Sequence, residues 1–260
     1  MIFSIKSLRS PRKVALAISV AVYSVLWLGG VGQHLFGGPA RKEHDWIASL
    51  FLLLAGLIVL LGTRAVSELA GLLGIAVAGF VIEVIGVRAG LPFGSYSYTA
   101  VLQPQLFGVP IVMAFAWMVL VAGIKQTLQG SGLTRWLEVL LAALWMTAID
   151  LVIDPLAANL LGYWQWRTVG IYYGIPAINF GGWFLSSLLV FGLLVWGLLK
   201  VNWKSNVWSR WIGLSIVMFF SLIALAQQLF VVGLIGLALS GMQFFLGKSS
   251  AGRNKSRPDW

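Results

Sequence analysis

The chain has 260 residues, of which 59% are apolar and 10% charged, with a formal net charge of +10. A water-soluble domain carries about a quarter charged residues, so this composition excludes an ordinary soluble globule. No cysteine is present, which removes disulfides, thiolate catalysis and iron–sulfur ligation, and two histidines (His34 and His44) leave little for a histidine metal site.

Several nearly uncharged runs approach or reach the roughly 20 residues a bilayer-crossing helix needs. In chain order they predict eight helices, at 14–36, 45–62, 66–87, 107–125, 134–153, 178–200, 209–226 and 229–247. The expected fold is all-α: a polytopic membrane helix bundle of about eight transmembrane helices, with residues 1–247 as one integral domain. No small-residue cleavage pattern follows the first run, which reads as a retained helix. The polar, basic segment 248–260 reads as a disordered tail.

Only Gln227-Gln228 separates the last two runs, and the basic residues decide between one helix and two. With eight spans and a cytoplasmic N-terminus, fourteen Lys and Arg lie inside (Lys6, Arg9, Arg12, Lys13, Arg64, Lys125, Arg135, Lys200, Lys204, Arg210, Lys248, Arg253, Lys255 and Arg257). Four lie outside: Arg41, Lys42, Arg88 and Arg167. That asymmetry follows the positive-inside rule, and fusing the last two spans would give ten against eight. Both termini are then cytoplasmic. Basic residues placed between spans point to lipid contacts and topology, not to nucleic acid.

The two longest connections, about 88–106 and 154–177, fall on the opposite side and resemble each other. The first half (about 66–125) reads Glu83, "GSYSY" at 94–98, "FGVP" at 107–110 and Trp117; the second (about 134–200) reads Asp150, "GYWQW" at 162–166, "YGIP" at 173–176 and Trp183. The acid-to-glycine spacings are 11 and 12, and the proline-to-tryptophan spacing is seven in both. Both helix pairs run the same way through the membrane, so the expectation is a parallel internal repeat. Interfacial anchoring explains any single aromatic. An ordered set occurring twice on one side points instead to two walls of one site.

Glu83, Asp150 and Asp154 lie in the outer parts of otherwise apolar helices. A charged side chain at the bilayer centre costs about 3 kcal/mol on insertion scales, so such acids are functional candidates. Asp150 and Asp154 share one helix face, Pro155 is expected to stop that helix, and Arg88 is the nearest candidate partner for Glu83. Two carboxyls so placed can share one proton, the form a general acid needs. For Glu43, Asp45, Glu68 and Asp259 a solvated role suffices, and Glu138 is placed to pair with Arg135.

Carboxyls facing π surfaces suit protonation of an alkene to a tertiary cation, and the membrane setting suits an isoprenoid lipid. The stretches "GLPFGSYSYT…LFGVP…W" and "DLVIDPLA…GYWQW…YYGIPAINFGGWF" resemble the carotenoid 1′,2′-hydratases, the membrane family of γ-carotene and bisanhydrobacterioruberin hydratases. The resemblance covers about 80–185; the flanking helices match only in hydrophobic character. It implies addition of water, without cofactor or metal, to the terminal double bond of an acyclic (ψ) carotenoid end. The product is a tertiary alcohol that a partner glycosyltransferase can take up. By motif, Asp154, Tyr96, Tyr98, Pro110, Trp164, Trp166, Tyr173, Pro176, Asn179 and Trp183 carry over.

Joining both readings, Asp150 or Asp154 donates the proton, and Glu83, Asn179 or a second carboxylate handles the water. Tyr96, Tyr98, Trp117, Trp164, Trp166, Tyr172, Tyr173, Asn179 and Trp183 form the substrate wall. Localisation would be the cell membrane or an internal photosynthetic membrane. The competing readings are lycopene cyclisation, which uses the same protonation, prenyl transfer, for which one "DLVID" is thin, and a carotenoid-binding transporter.

Overall fold

The computed structural model describes residues 10–37, 45–197 and 206–255, with side chains as far as 246 in the last segment. Lys6, Arg9, Arg41, Lys42, Glu43, His44, Lys200, Lys204, Arg257 and Asp259 lie outside these residues, as do the side chains of Lys248, Arg253 and Lys255. Eight helices form among the described residues: α1 (Pro11–Phe36), α2 (Trp46–Gly62), α3 (Val66–Ala89), α4 (Val112–Leu128), α5 (Arg135–Asn159), α6 (Ala177–Val195), α7 (Val207–Ala226) and α8 (Phe230–Lys255). Of these, α1, α3, α5, α6 and α7 are long and apolar enough to cross a membrane; α2, α4 and the stretch Phe230–Leu246 are shorter apolar helices. The molecule is an all-α membrane helix bundle.

Chain chemistry explains most boundaries. The α7–α8 break is real: Gln228 takes φ 61, the Leu229 N–H reaches the Ala224 carbonyl at 2.8 Å and the Gln228 N–H reaches Leu225 at 3.1 Å. That is a Schellman closure with glutamine in the position glycine usually fills. α4 starts at Val112 rather than 107, because the preceding residues form a hairpin of β2 (Gln105–Leu106) and β3 (Val109–Pro110). The backbone of α8 stays helical through Lys255, into the stretch whose composition reads as a disordered tail.

Pro155 does not end α5, which runs on to Asn159. A proline inside a helix orphans the carbonyl four residues back. Here that carbonyl, of Leu151, accepts the Tyr172 hydroxyl at 3.0 Å.

Helix α3 packs on α4 and α5 on α6, and the two pairs meet along α4–α5 and, more lightly, α3–α6. The α7–α8 hairpin backs α4 and α5, while α1 and α2 pack beside α4 and α7. α4 thus sits in the middle of the bundle, and its stretch from Trp117 to Ile124 is buried throughout, as expected of a helix that is apolar all round.

Three surface expectations are corrected. Glu68 is fully buried, and its carboxylate turns back to accept the Arg64 N–H at 3.0 Å, tying the residue before the Ala65 N-cap to the first turn of α3. Glu138 pairs not with Arg135 but with Lys125, which α4 brings across to α5. Arg88 lies over the Phe107 ring, 5.2 Å from its centroid, and leaves Glu83 without a cation.

Candidate active site

The motif G-x-aromatic-x-aromatic folds as a three-residue strand in each half: β1 (Tyr96–Tyr98) and β4 (Trp164–Trp166). Side chains alternate along a strand, so each strand turns two aromatics inward while Ser97 and Gln165 stay exposed. The two strands pair antiparallel, Tyr96 with Trp166, Ser97 with Gln165 and Tyr98 with Trp164. Ser97 faces the residue at its own motif position, so a local two-fold axis passes through that pair. The "FGVP" and "YGIP" segments also match: Phe107-Gly108 take φ 56 and 83, Tyr173-Gly174 take φ 48 and 82. Both are turns of the primed type, which need positive φ at two successive residues.

Each inward aromatic pair grips an acid of its own half. Glu83, 2% exposed, accepts the Tyr96 and Tyr98 hydroxyls on Oε2 at 2.5 and 2.8 Å and the Trp117 indole on Oε1 at 2.9 Å. Asp154, 1% exposed, accepts the Trp164 and Trp166 indoles on Oδ1 at 2.7 and 3.4 Å. The Asn179 amide nitrogen donates to Asp154 Oδ2 at 2.6 Å and Asp150 Oδ2 at 2.7 Å, binding the two aspartates together. By contacts, Asp154 and not Asp150 is therefore the counterpart of Glu83. Counting back eight residues from the motif glycine gives Asp154 in one half and Gly86 in the other. A Cβ on Gly86 would lie 2.8 Å from the Tyr96 hydroxyl; its absence lets the phenols reach one turn deeper, to Glu83.

Burial first, and then the Glu83 charge, push the Tyr96 and Tyr98 phenols well above their ordinary range. Both remain hydroxyl donors. Among the described residues no lysine or arginine forms an ion pair with Glu83, Asp150 or Asp154.

These groups line a partly open cavity of about 20 Å³: Glu83, Tyr96, Tyr98, Asp154, Trp164, Trp166, Asn179 and Trp183, together with Phe93 and Met113. That volume suffices for a single water molecule. Trp117 stands just behind, holding Glu83 and stacking on Trp183. Asp150 is buried but does not line the cavity; it reaches it through Asn179. Tyr172 and Tyr173 are not brought in: Tyr172 serves the Leu151 carbonyl, and Tyr173 is 36% exposed with its carbonyl accepting the Asn159 amide. Pro110 and Pro176 set the entries of α4 and α6 rather than touching the cavity. Sequence reasoning missed Phe93 and Met113. Met113 was findable, since it stands three residues after Pro110 as Asn179 stands three after Pro176.

Residues 45–247 match the family described as carotenoid biosynthesis protein. Bisanhydrobacterioruberin hydratase of Haloarcula japonica is 32% identical over 146 residues, covering 52% of this chain and 46% of that protein. The similarity thus spans about half the length of that relative. No solved structure matches.

Proposed function

The chain belongs to the carotenoid biosynthesis protein family, and from that premise we propose that it adds water to the terminal 1′,2′ double bond of an acyclic carotenoid end such as that of γ-carotene or lycopene. The observation that carries this reading is the single water-sized cavity lined by both Glu83 and Asp154 and walled by aromatic rings.

The aspartate pair is the proton donor, with Asp154 the member that faces the cavity. Its proton passes to the less substituted alkene carbon, leaving a tertiary cation and the Asp154 carboxylate. The indoles of Trp164 and Trp166 and the Asn179 amide already point at that carboxylate, and donors aimed at charge that develops during reaction are the most effective kind. The ring faces of Trp164, Trp166 and Trp183 stabilise the cation. Water then bonds to the cationic carbon and yields a proton to Glu83, giving the tertiary alcohol. A proton returning from Glu83 to Asp154 restores the starting state, so the net change is alkene plus water to alcohol.

Donor chemistry supports this division of labour. Hydroxyls both donate and accept, so Tyr96 and Tyr98 can turn to fit Glu83 with or without a proton. Indole N–H groups only donate, which suits Asp154 as the group that ends the step as an anion.

Cyclisation starts from the same protonation but captures the cation with an internal alkene, and a second acid facing the cavity, Glu83, to take a proton from water favours hydration. We further place the site on the non-cytoplasmic side, with Lys125, Arg135 and Arg210 at the opposite end and both termini cytoplasmic, in the cell membrane or an internal photosynthetic membrane. Single cysteines introduced into this cysteine-free chain and probed with an impermeant thiol reagent test that orientation. Expression in a host accumulating γ-carotene or lycopene tests the reaction: a pigment heavier by one water supports it, and a cyclised or unchanged pigment overturns it.

A further inference from the structure

Resting on the hydratase reading, we infer that the isoprenoid end reaches the cavity sideways out of the bilayer, through a portal between α3 and α6 closed by Phe93 and Trp183. The cavity admits one water, and a branched alkene end is several times larger, so some boundary must part. The four helices α3–α6 have four seams, and three carry a polar strap. Trp117 of α4 bonds Glu83 of α3, Asn179 of α6 bonds Asp150 and Asp154 of α5, and Lys125 of α4 pairs with Glu138 of α5. Across α3–α6 no hydrogen bond or ion pair forms among the described residues. The roof is strapped as well, by the β1–β4 ladder and by flanking bonds from the Thr99 N–H to Tyr163 and the Arg167 N–H to Ser95, both 3.0 Å.

The local two-fold makes the α4–α5 and α3–α6 seams counterparts, yet they differ in what lies behind them. α7 and α8 back the first, while among the described residues no helix packs extensively over the second. Its flanks instead expose Val77, Val81 and Ile85 of α3 and Ile178, Leu185 and Leu189 of α6, the surface of a lipid-facing groove. At cavity depth the turn after α3 closes the seam, Pro92 and Phe93 packing on Gly182 and Trp183 of α6 with no hydrogen bond between them among the described residues. The Phe93 and Trp183 rings lie 5.4 Å apart, and both line the cavity. Hydrocarbon can replace such contacts at little cost, since lipid tails are as apolar as the side chains they displace. The occupant is a linear isoprenoid hydrocarbon already dissolved in the bilayer, which enters end first.

A reversible lock tests the portal. A Cβ on Gly94 would lie 2.9 Å from the Ile178 Cγ2 atom, so the double variant Gly94→Cys/Ile178→Cys trades that methyl for a disulfide across the outer end of the seam. The chain has no other cysteine. The reduced double variant is its own reference, which absorbs any strain at Gly94, whose φ is 97. Pigment retained on purification from a lycopene-accumulating host and hydrated product are both measured. Oxidation is expected to lower pigment loading and turnover about tenfold or more, with recovery on reduction. Ile178→Trp, which fills the lipid side without a cross-link, is expected to slow loading in the same direction. Loading and turnover unchanged by the formed disulfide, or unchanged in Ile178→Trp, overturn the portal. Redox-dependent loading in a protein that yields no alcohol upholds the portal and sinks only the hydratase reading.

Discussion

Trp117 and Trp183 stack with ring centroids 4.7 Å apart and planes 18° from parallel. Each stands seven residues after the proline of its own half, so the contact joins equivalent positions across the local two-fold. They then diverge in role, because Trp117 donates to Glu83 while Trp183 lines the cavity. Trp117→Phe keeps the stack and deletes the donor. A hydrogen bond to a charged group contributes about 1.5–3 kcal/mol, so turnover is expected to fall roughly ten- to a hundredfold with pigment loading retained. Equal loss of loading would mean that Trp117 acts only in packing.

Gly79 makes the position of Trp117 possible. A Cβ there would fall 2.3 Å from the Trp117 ring, and overpacking a tight interior costs about 1–3 kcal/mol. Gly79→Ala is therefore expected to lower thermal stability and turnover together. Gly86→Ala meets the Tyr96 hydroxyl instead, so turnover should suffer more than stability. The ratio of the two effects, from melting curves and product formation, separates a packing glycine from a positioning one.

Tyr96→Phe and Tyr98→Phe each remove one donor to Glu83. A single such loss is expected to cost about tenfold in turnover, and the double variant more than the product of the two, because Glu83 Oε2 then keeps neither hydroxyl. Simple multiplicativity, measured in one double-mutant cycle, would contradict a shared role.

The same phenols give a pH signature. Burial and the Glu83 charge raise their ionisation above the ordinary value of 10.0. A raised folded value means that the folded state holds these protons where an unfolded chain releases them. The stability they contribute is therefore intact below pH 10 and is lost as pH rises above it. Of six tyrosines, these two should stay silent in an ultraviolet titration of the folded protein, as should Tyr163 and Tyr172, which burial also pushes up. The double Phe variant should then ionise as many phenols before unfolding as the parent. A variant missing phenols from the first phase of the titration would refute the burial argument.

Much of this architecture is legible in the sequence, for identifiable reasons. Runs of apolar residues mark eight helices, five of them long enough to cross a bilayer, and Gln227-Gln228 marks a real break, closed by Gln228 at φ 61. The duplicated motifs are visible as spacing. That they are strands is not, since three residues of alternation in an aromatic-rich loop look like any interfacial cluster. Pro155 misleads because its cost is met from afar: only the fold brings Tyr172 to the Leu151 carbonyl. Matching acids by spacing selects Asp150 as the partner of Glu83, whereas the indoles of Trp164 and Trp166 select Asp154. Side-chain reach, one turn longer from a position opposite Gly86, decides the matter, and spacing does not record reach.

The most direct measurement uses the purified protein in lipid nanodiscs with lycopene or γ-carotene in water enriched in heavy oxygen. It compares the parent with Asp154→Asn, which keeps the shape of the side chain and removes its acid. The parent should form a product heavier by one water, with the heavy isotope in its hydroxyl. Asp154→Asn should remain folded and pigment-loaded while losing at least about a hundredfold in turnover, the usual worth of a general acid. A parent product without solvent oxygen, or an Asp154→Asn variant with near-parental turnover, would contradict the account.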